Sequence, residues 1–274
     1  MNVTMVQPKP LQLLSVVIPA RDEEGCIVST VEHLDVELRL HNIPHEIVVV
    51  DDGSTDRTWQ LLQDTRTEFP AWCRCKTPDC TASAGPLVCG FGHASGDAVV
   101  LMMADESDDC RDVVRYWEVL SRGFDCVFGS RFIKGGGVIA YPWFKLRMNR
   151  VANLFIRLLF KIKFNDTTIA FKAYRREAIE GYQPFLSPHF NLTVEIPLKA
   201  IVRGFTWTVI PMHVAQPQKR RSLRSRRWAA GISSFACTSG WRNLSADEIT
   251  SGRIPKAHDV QKVTSHWCKL WMTR

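Results

Sequence analysis

Four short apolar runs punctuate the first half of the chain, and each ends in acids or turn-forming residues. Leu14–Ile18, Glu46–Val50, Ala98–Met103 and Cys126–Phe128 read as strands. Their almost wholly apolar make-up is what a strand covered on both faces requires. Between them Glu24–Leu40 carries Ile27, Val31, Leu34 and Leu38 at helical spacing. Asp56–Gln63 suits a short helix entered through Ser54 or Thr55, and Asp109–Leu120 suits another. Strand alternating with helix predicts an α/β fold with a largely parallel central sheet flanked by helices. Ligands of such sheets bind beyond the carboxyl ends of the strands. The segments PARDEE, DDGSTD and ADESDD, which follow three of these strands, are therefore predicted to share one rim. No G-x-G-x-x-G follows the first strand, which removes the dinucleotide-binding fingerprint from that position.

Composition narrows the class without changing the fold. With 274 residues, 45% of them hydrophobic, the chain can bury a sizeable core. The start, MNVTMVQPKPLQLLS, lacks the build of a signal peptide, and no apolar run approaches the roughly 18 residues of a spanning helix. The formal charge of +7 is concentrated: residues 216–274 hold twelve Lys and Arg against three Asp and Glu, leaving 23 basic and 25 acidic residues elsewhere. Nucleic acid is accordingly not an expected partner of the main domain. Nine cysteines favour a reducing compartment. Cys73, Cys75, Cys80 and Cys89 follow no common zinc spacing, so scattered thiols are expected there instead of a metal site.

The candidate chemistry sits at the strand ends. In VVVDDGSTDRT, Asp51 and Asp52 can accept hydrogen bonds from a base and a ribose, or can simply cap the next helix. In VVLMMADESDD, which runs from Val99 to Asp109, the acids either start a helix or hold a metal and phosphates.

The blocks SVVIPARDEEG, EIVVVDDGSTDRT, GDAVVLMMADESDD, VFGSRFIKGGG and NDTTIAFKAYRREAIEGY occur in the order and approximate spacing of the family-2 inverting glycosyltransferases of GT-A fold. Within that family the chain most resembles the dolichyl- or polyprenyl-phosphate mannosyltransferases. The resemblance implies that Pro19, Ala20, Arg21 and Glu23 grip a nucleotide, and that Asp51 and Asp52 bind its base and ribose. The family's Asp-x-Asp metal motif falls on Met103-Ala104-Asp105, so Asp105 is the candidate for a divalent cation, Mg2+ or Mn2+. Glu106 or Asp108 would add charge behind it, while Ser107 to Asp109 better fit a helix start. Arg131 and Lys145 fall where the family meets the phosphate of its lipid acceptor. Asp166 and Lys172 are the polar residues of the segment that closes over the donor, with Glu195 a second polar contact.

From Trp143 to Phe164 there are six cations and no acids. Arg147, Arg150, Arg157 and Lys161 share a helical face, with Phe155, Leu158, Leu159 and Ile162 largely elsewhere. Such a helix either packs on a core with one solvated side or lies on an anionic membrane, and the resemblance favours the membrane. The resemblance lapses between Trp72 and Phe91 and again after Pro211. The expected division is an extension over 1–13, a GT-A domain over 14–211, and a poorly structured basic tail over 212–274, outside the family frame. The expected activity is inverting transfer of mannose or a similar hexose from a nucleotide-diphosphate sugar to a polyprenyl phosphate. The enzyme would be cytoplasmic and peripheral on the membrane, with a separate membrane-anchoring subunit as a further partner. Alternatives are transfer to a saccharide or protein hydroxyl, and an inactive nucleotide-sugar-binding remnant.

Overall fold

The computed structural model describes residues 9–65, 72–76, 85–139, 142–187 and 191–215; the side chains of residues 72–74, 76 and 145 lie outside that description. The chain divides into two units, Met1–Ile201 with Phe205–Arg220 and Val202–Gly204 with Arg221–Arg274, and the architecture below is that of the first. In chain order its elements begin β1 (Leu14–Ala20), α1 (Ile27–Leu40), β2 (His45–Asp51), α2 (Thr58–Asp64) and β3 (Trp72–Lys76). Then come α3 (Pro86–His93), β4 (Ala98–Leu101), α4 (Cys110–Ser121), β5 (Cys126–Ser130) and β6 (Gly137–Ile139). The last are α5 (Trp143–Phe160), β7 (Lys172–Arg175), α6 (Arg176–Gly181), α7 (Leu192–Val202), β8 (Trp207–Pro211) and β9 (His213–Ala215).

Seven strands form one sheet in the order β3-β2-β1-β4-β7-β5-β8, and β6 pairs with β9 in a second, two-stranded sheet. All pairings in the large sheet are parallel except those of β7, which runs antiparallel to β4 and β5. The central strands are apolar because helices cover both their faces. Val16, Val17, Ile18, Ile47, Val48, Val49 and Val50 have no exposed surface. Helix α1 turns Ile27, Val31, Leu34 and Leu38 inward, as its spacing predicts. It starts three residues later than Glu24. The backbone N–H groups of Glu23 and Glu24 are instead drawn to Thr58 Oγ1 and Asp56 Oδ2, at 2.8 and 3.2 Å.

The two stretches where the resemblance lapses contribute to the fold. Strand β3 pairs with β2 from Ile47↔Trp72 to Asp51↔Lys76. Helix α3 presses on the sheet through Gly90, where an added Cβ would meet Val17 Cγ1 at 2.3 Å. Past Pro211, Met212 is fully buried and its N–H donates to Ser130 O at 3.2 Å. Strand β9 then pairs with β6, so the domain continues beyond the expected boundary at 211. Residues 216–274, most of the expected basic tail, lie outside the described residues.

Candidate functional site at the carboxyl ends of three strands

Strand β1 lies between β2 and β4, with Ala20 opposite Asp51 and Val17 opposite Leu101. The strand order reverses here, which is where open α/β sheets form ligand crevices. The loops after β1 and β2 are tied together. Asp22, at φ 54°, accepts from the Thr55 N–H at 2.7 Å and the Thr55 hydroxyl at 3.0 Å. Its own N–H donates to Ser54 Oγ at 3.1 Å. The Thr55 N–H is the main reason the Asp22 carboxyl is held below its ordinary range. Gly53, at φ 73°, makes the turn that lets the Ser54 N–H reach back to Asp51 Oδ1 at 3.1 Å. Arg21 and Asp52 stand beside each other at the rim, 3.5 Å apart and both partly exposed. Pro19, Ala20, Arg21, Glu23, Asp51 and Asp52 are thus gathered at one edge. Asp22, which builds this rim, was not singled out from the sequence; nothing in its local pattern marks it, because its partners lie after the next strand.

The acids after β4 separate into three roles. Asp109 is the N-cap of α4, its carboxylate accepting from the Arg111 N–H at 3.0 Å. Glu106, at φ 56°, takes the Ser29 hydroxyl. Asp105 and Asp108 are buried. Oδ1 of Asp105 accepts from the Ser107 N–H at 3.2 Å, and Oδ2 has no hydrogen-bond partner among the described residues. Asp108 Oδ2 accepts from the Met103 N–H at 2.9 Å, so Asp108 braces the turn and does not cap the helix. Burial first, then the charge of Asp105, pushes the Asp108 carboxyl up to about 7. Buried carboxylates are hard oxygen donors, the ligand type that divalent cations such as Mg2+ take. A cleft of about 860 Å³ opens beside this turn, lined by residues that include Thr30, His33, Glu106, Asp108, Ile139 and His213.

Arg131 is not a free cation at a strand end. Its Nε and Nη2 donate to Asp166 Oδ2 and Oδ1 at 2.8 and 2.7 Å, and Arg131 is 8% and Asp166 0% exposed. Asn153, buried on α5, donates to Asp166 and Thr168 and accepts from the Thr167 N–H at 2.7 Å. Lys172 is fully buried and donates to the carbonyls of Thr167, Ile169 and Thr193. Burial pushes its ammonium down to about 7, opposed by Asp166 and aided by Arg131. Asp166 and Lys172 therefore work inside the scaffold that carries Arg131. Glu195 pairs with Lys199 at 2.5 Å and takes the N–H groups of Leu186 and Ser187, a clamp on the preceding loop. Lys145 lies in the first turn of α5, and its side chain is outside the described residues.

Helix α5 buries Asn153 and Ile156 and leaves most of its surface open. Trp143, Phe144, Met148, Val151, Leu154, Phe155, Leu158 and Leu159 are all exposed large apolar residues. Arg147 lies over the Trp143 ring at 5.7 Å, and Arg150 over Phe132 at 5.3 Å. Ile162, grouped by spacing with Phe155, Leu158 and Leu159, parts from them: it is buried, lying just past Lys161, φ 50°, where the chain leaves the helix. No helix among the described residues is long and apolar enough to cross a membrane.

The chain is 33% identical over 189 residues to the dolichol-phosphate mannosyltransferase of Pyrococcus furiosus, covering 68% of this chain and 52% of that protein. It therefore spans about half the length of that relative. It is 30% identical over 215 residues to the polyprenol monophosphomannose synthase of Mycolicibacterium smegmatis, covering 74% of this chain and 78% of the other. Among solved structures, glucosyl-3-phosphoglycerate synthase from Mycobacterium tuberculosis, in complex with Mn2+, UDP and phosphoglyceric acid, superposes with a TM-score of 0.64 at 18% identity. That match covers 89% of this chain and 80% of the other, and the shared fold is the GT-A arrangement. Residues 15–182 match the family described as Glycosyl transferase family 2, and the chain belongs to that family.

Proposed function

We propose that the protein transfers a hexose, mannose or a close relative, with inversion, from a nucleotide-diphosphate sugar to a polyprenyl phosphate at a membrane surface. The observation that carries this reading is an acidic rim at the strand ends on the same unit as a helix that exposes apolar side chains among arginines. The names of the Pyrococcus and Mycolicibacterium relatives support it.

In this reading Arg21, Asp51 and Asp52, with the turn of Pro19 to Glu23, receive the nucleotide. Asp105, backed by Asp108, would hold Mg2+ or Mn2+, a Lewis acid that offsets the charge of the leaving diphosphate. Arg131, oriented by Asp166, is the proposed contact for an acceptor phosphate, and Lys145 adds a second charge. A phosphate whose second pKa is near 6 is largely ionised at neutral pH and attacks without a protein base. Helix α5 would lie on the cytoplasmic leaflet with its apolar side chains inserted and its arginines at the headgroups. A membrane-anchoring subunit is a further partner consistent with this placement.

Labelled GDP-mannose and UDP-sugars, offered with and without polyprenyl phosphate and with and without EDTA, test the reading. Lipid-linked product that EDTA abolishes is the expected result. Sugar moving only to a hydroxyl acceptor, or nucleotide binding without turnover, would overturn it.

A further inference from the structure

Cys75 on β3 and Cys89 and His93 on α3 converge in the buried seam between that edge strand and its covering helix. Their ligand atoms all lie within 4.8 Å of one another. Cys75 Sγ is 3.5 Å from Cys89 Sγ, and Cys89 Sγ is 3.9 Å from His93 Nδ1. One helical turn separates Cys89 from His93, which puts both on the same face of α3. A tetrahedral zinc with Zn–S near 2.3 Å and Zn–N near 2.0–2.1 Å has ligand–ligand edges of about 3.5–3.8 Å. The observed separations already approach those edges. The sequence spacing of the cysteines alone conceals this, because the third donor is a histidine and the first comes from a strand.

Cys89 is disulfide-bonded in the structure, while Cys75 is a thiol. We propose that, once the Cys89 disulfide is reduced, Cys75, Cys89 and His93 form a thiolate-rich site for zinc that pins α3 to β3. A dithiol reductant supplies the two electrons: its own sulfurs join, and the protein disulfide becomes two thiols. Metal binding then releases the thiol protons of Cys75 and Cys89 to solvent, and water completes the coordination. Cys75 pairs with Val50, one residue before Asp51, so the metal braces the strand beside the donor rim.

Cobalt(II) is the probe. The full chain is reduced with dithiothreitol, desalted without oxygen and titrated with Co2+, before and after addition of Zn2+. A thiolate-to-cobalt charge-transfer band saturating at one equivalent, absent before reduction and displaced by Zn2+, is expected. Cys75→Ser and Cys89→Ser lose the band, and His93→Gln, at an exposed position, weakens binding about tenfold or more. Asp105→Asn keeps it, which separates this site from the oxygen donors of the rim. No band in the reduced protein, a band that survives in Cys75→Ser, or unchanged affinity in His93→Gln would overturn the proposal.

Discussion

Arg131 and Asp166, 35 residues apart in the chain, face each other through two parallel hydrogen bonds of 2.8 and 2.7 Å, and both are buried. Removing one member of such a pair strands the other charge in the interior. Asp166→Ala is expected to cost about 3–5 kcal/mol in urea unfolding, whereas the double variant Arg131→Met with Asp166→Leu should cost markedly less than the two single changes together. Additive losses would show that the pair is not coupled.

Asp105 has one carboxylate oxygen uncommitted among the described residues, and its proposed task is electrostatic. Asp105→Asn keeps the volume and the bond from the Ser107 N–H. It is expected to lower turnover on the order of 100-fold, to leave the melting temperature nearly unchanged and to abolish the response to EDTA. Undiminished turnover would remove Asp105 from the reaction.

The carboxyl of Asp108 sits at about 7 in the folded protein against an ordinary value of 3.8. Between those values the folded chain holds a proton that the unfolded chain has released, so stability falls as pH rises through that window. Asp108→Asn removes this penalty. In EDTA it should raise the melting temperature at about pH 8 by on the order of 5 °C and change it little near pH 4. A gain confined to the acidic side would contradict the burial argument.

Helix α5 should bind anionic vesicles through two separable contributions. Leu158→Glu and Phe144→Glu, both at exposed positions, should weaken vesicle sedimentation without changing the fold. Arg147→Gln and Arg157→Gln should each cost about 1 kcal/mol, roughly fivefold, and only at low ionic strength. Binding that ignores all four changes would place some other surface against the lipid.

Gly90 approaches β1 so closely that a methyl group has no room beside Val17. Gly90→Ala is expected to cost about 1–3 kcal/mol in unfolding experiments. A neutral effect would mean that α3 is not packed on the sheet as described.

The chain alone determined β1, β2, β4 and α1, because residues covered on both faces of a sheet, or on one face of a helix, must be apolar at a fixed period. It also determined that three acidic turns share a rim, since parallel strands joined by helices all end on one side. The Asp109 cap was legible too, being a contact between neighbours in sequence. Strand β7 was not legible: Lys-Ala-Tyr-Arg has no apolar pattern, yet all four residues are buried. Its charges are accommodated by carbonyls of Thr193, Leu120 and Lys9, which only folding brings near. For the same reason the sequence could mark Arg131 as a cation but not show that Asp166 occupies its fork. Periodicity belongs to the local chain. Which charge is buried, and against what partner, depends on desolvation and pairing across the sheet, and only the tertiary structure decided it.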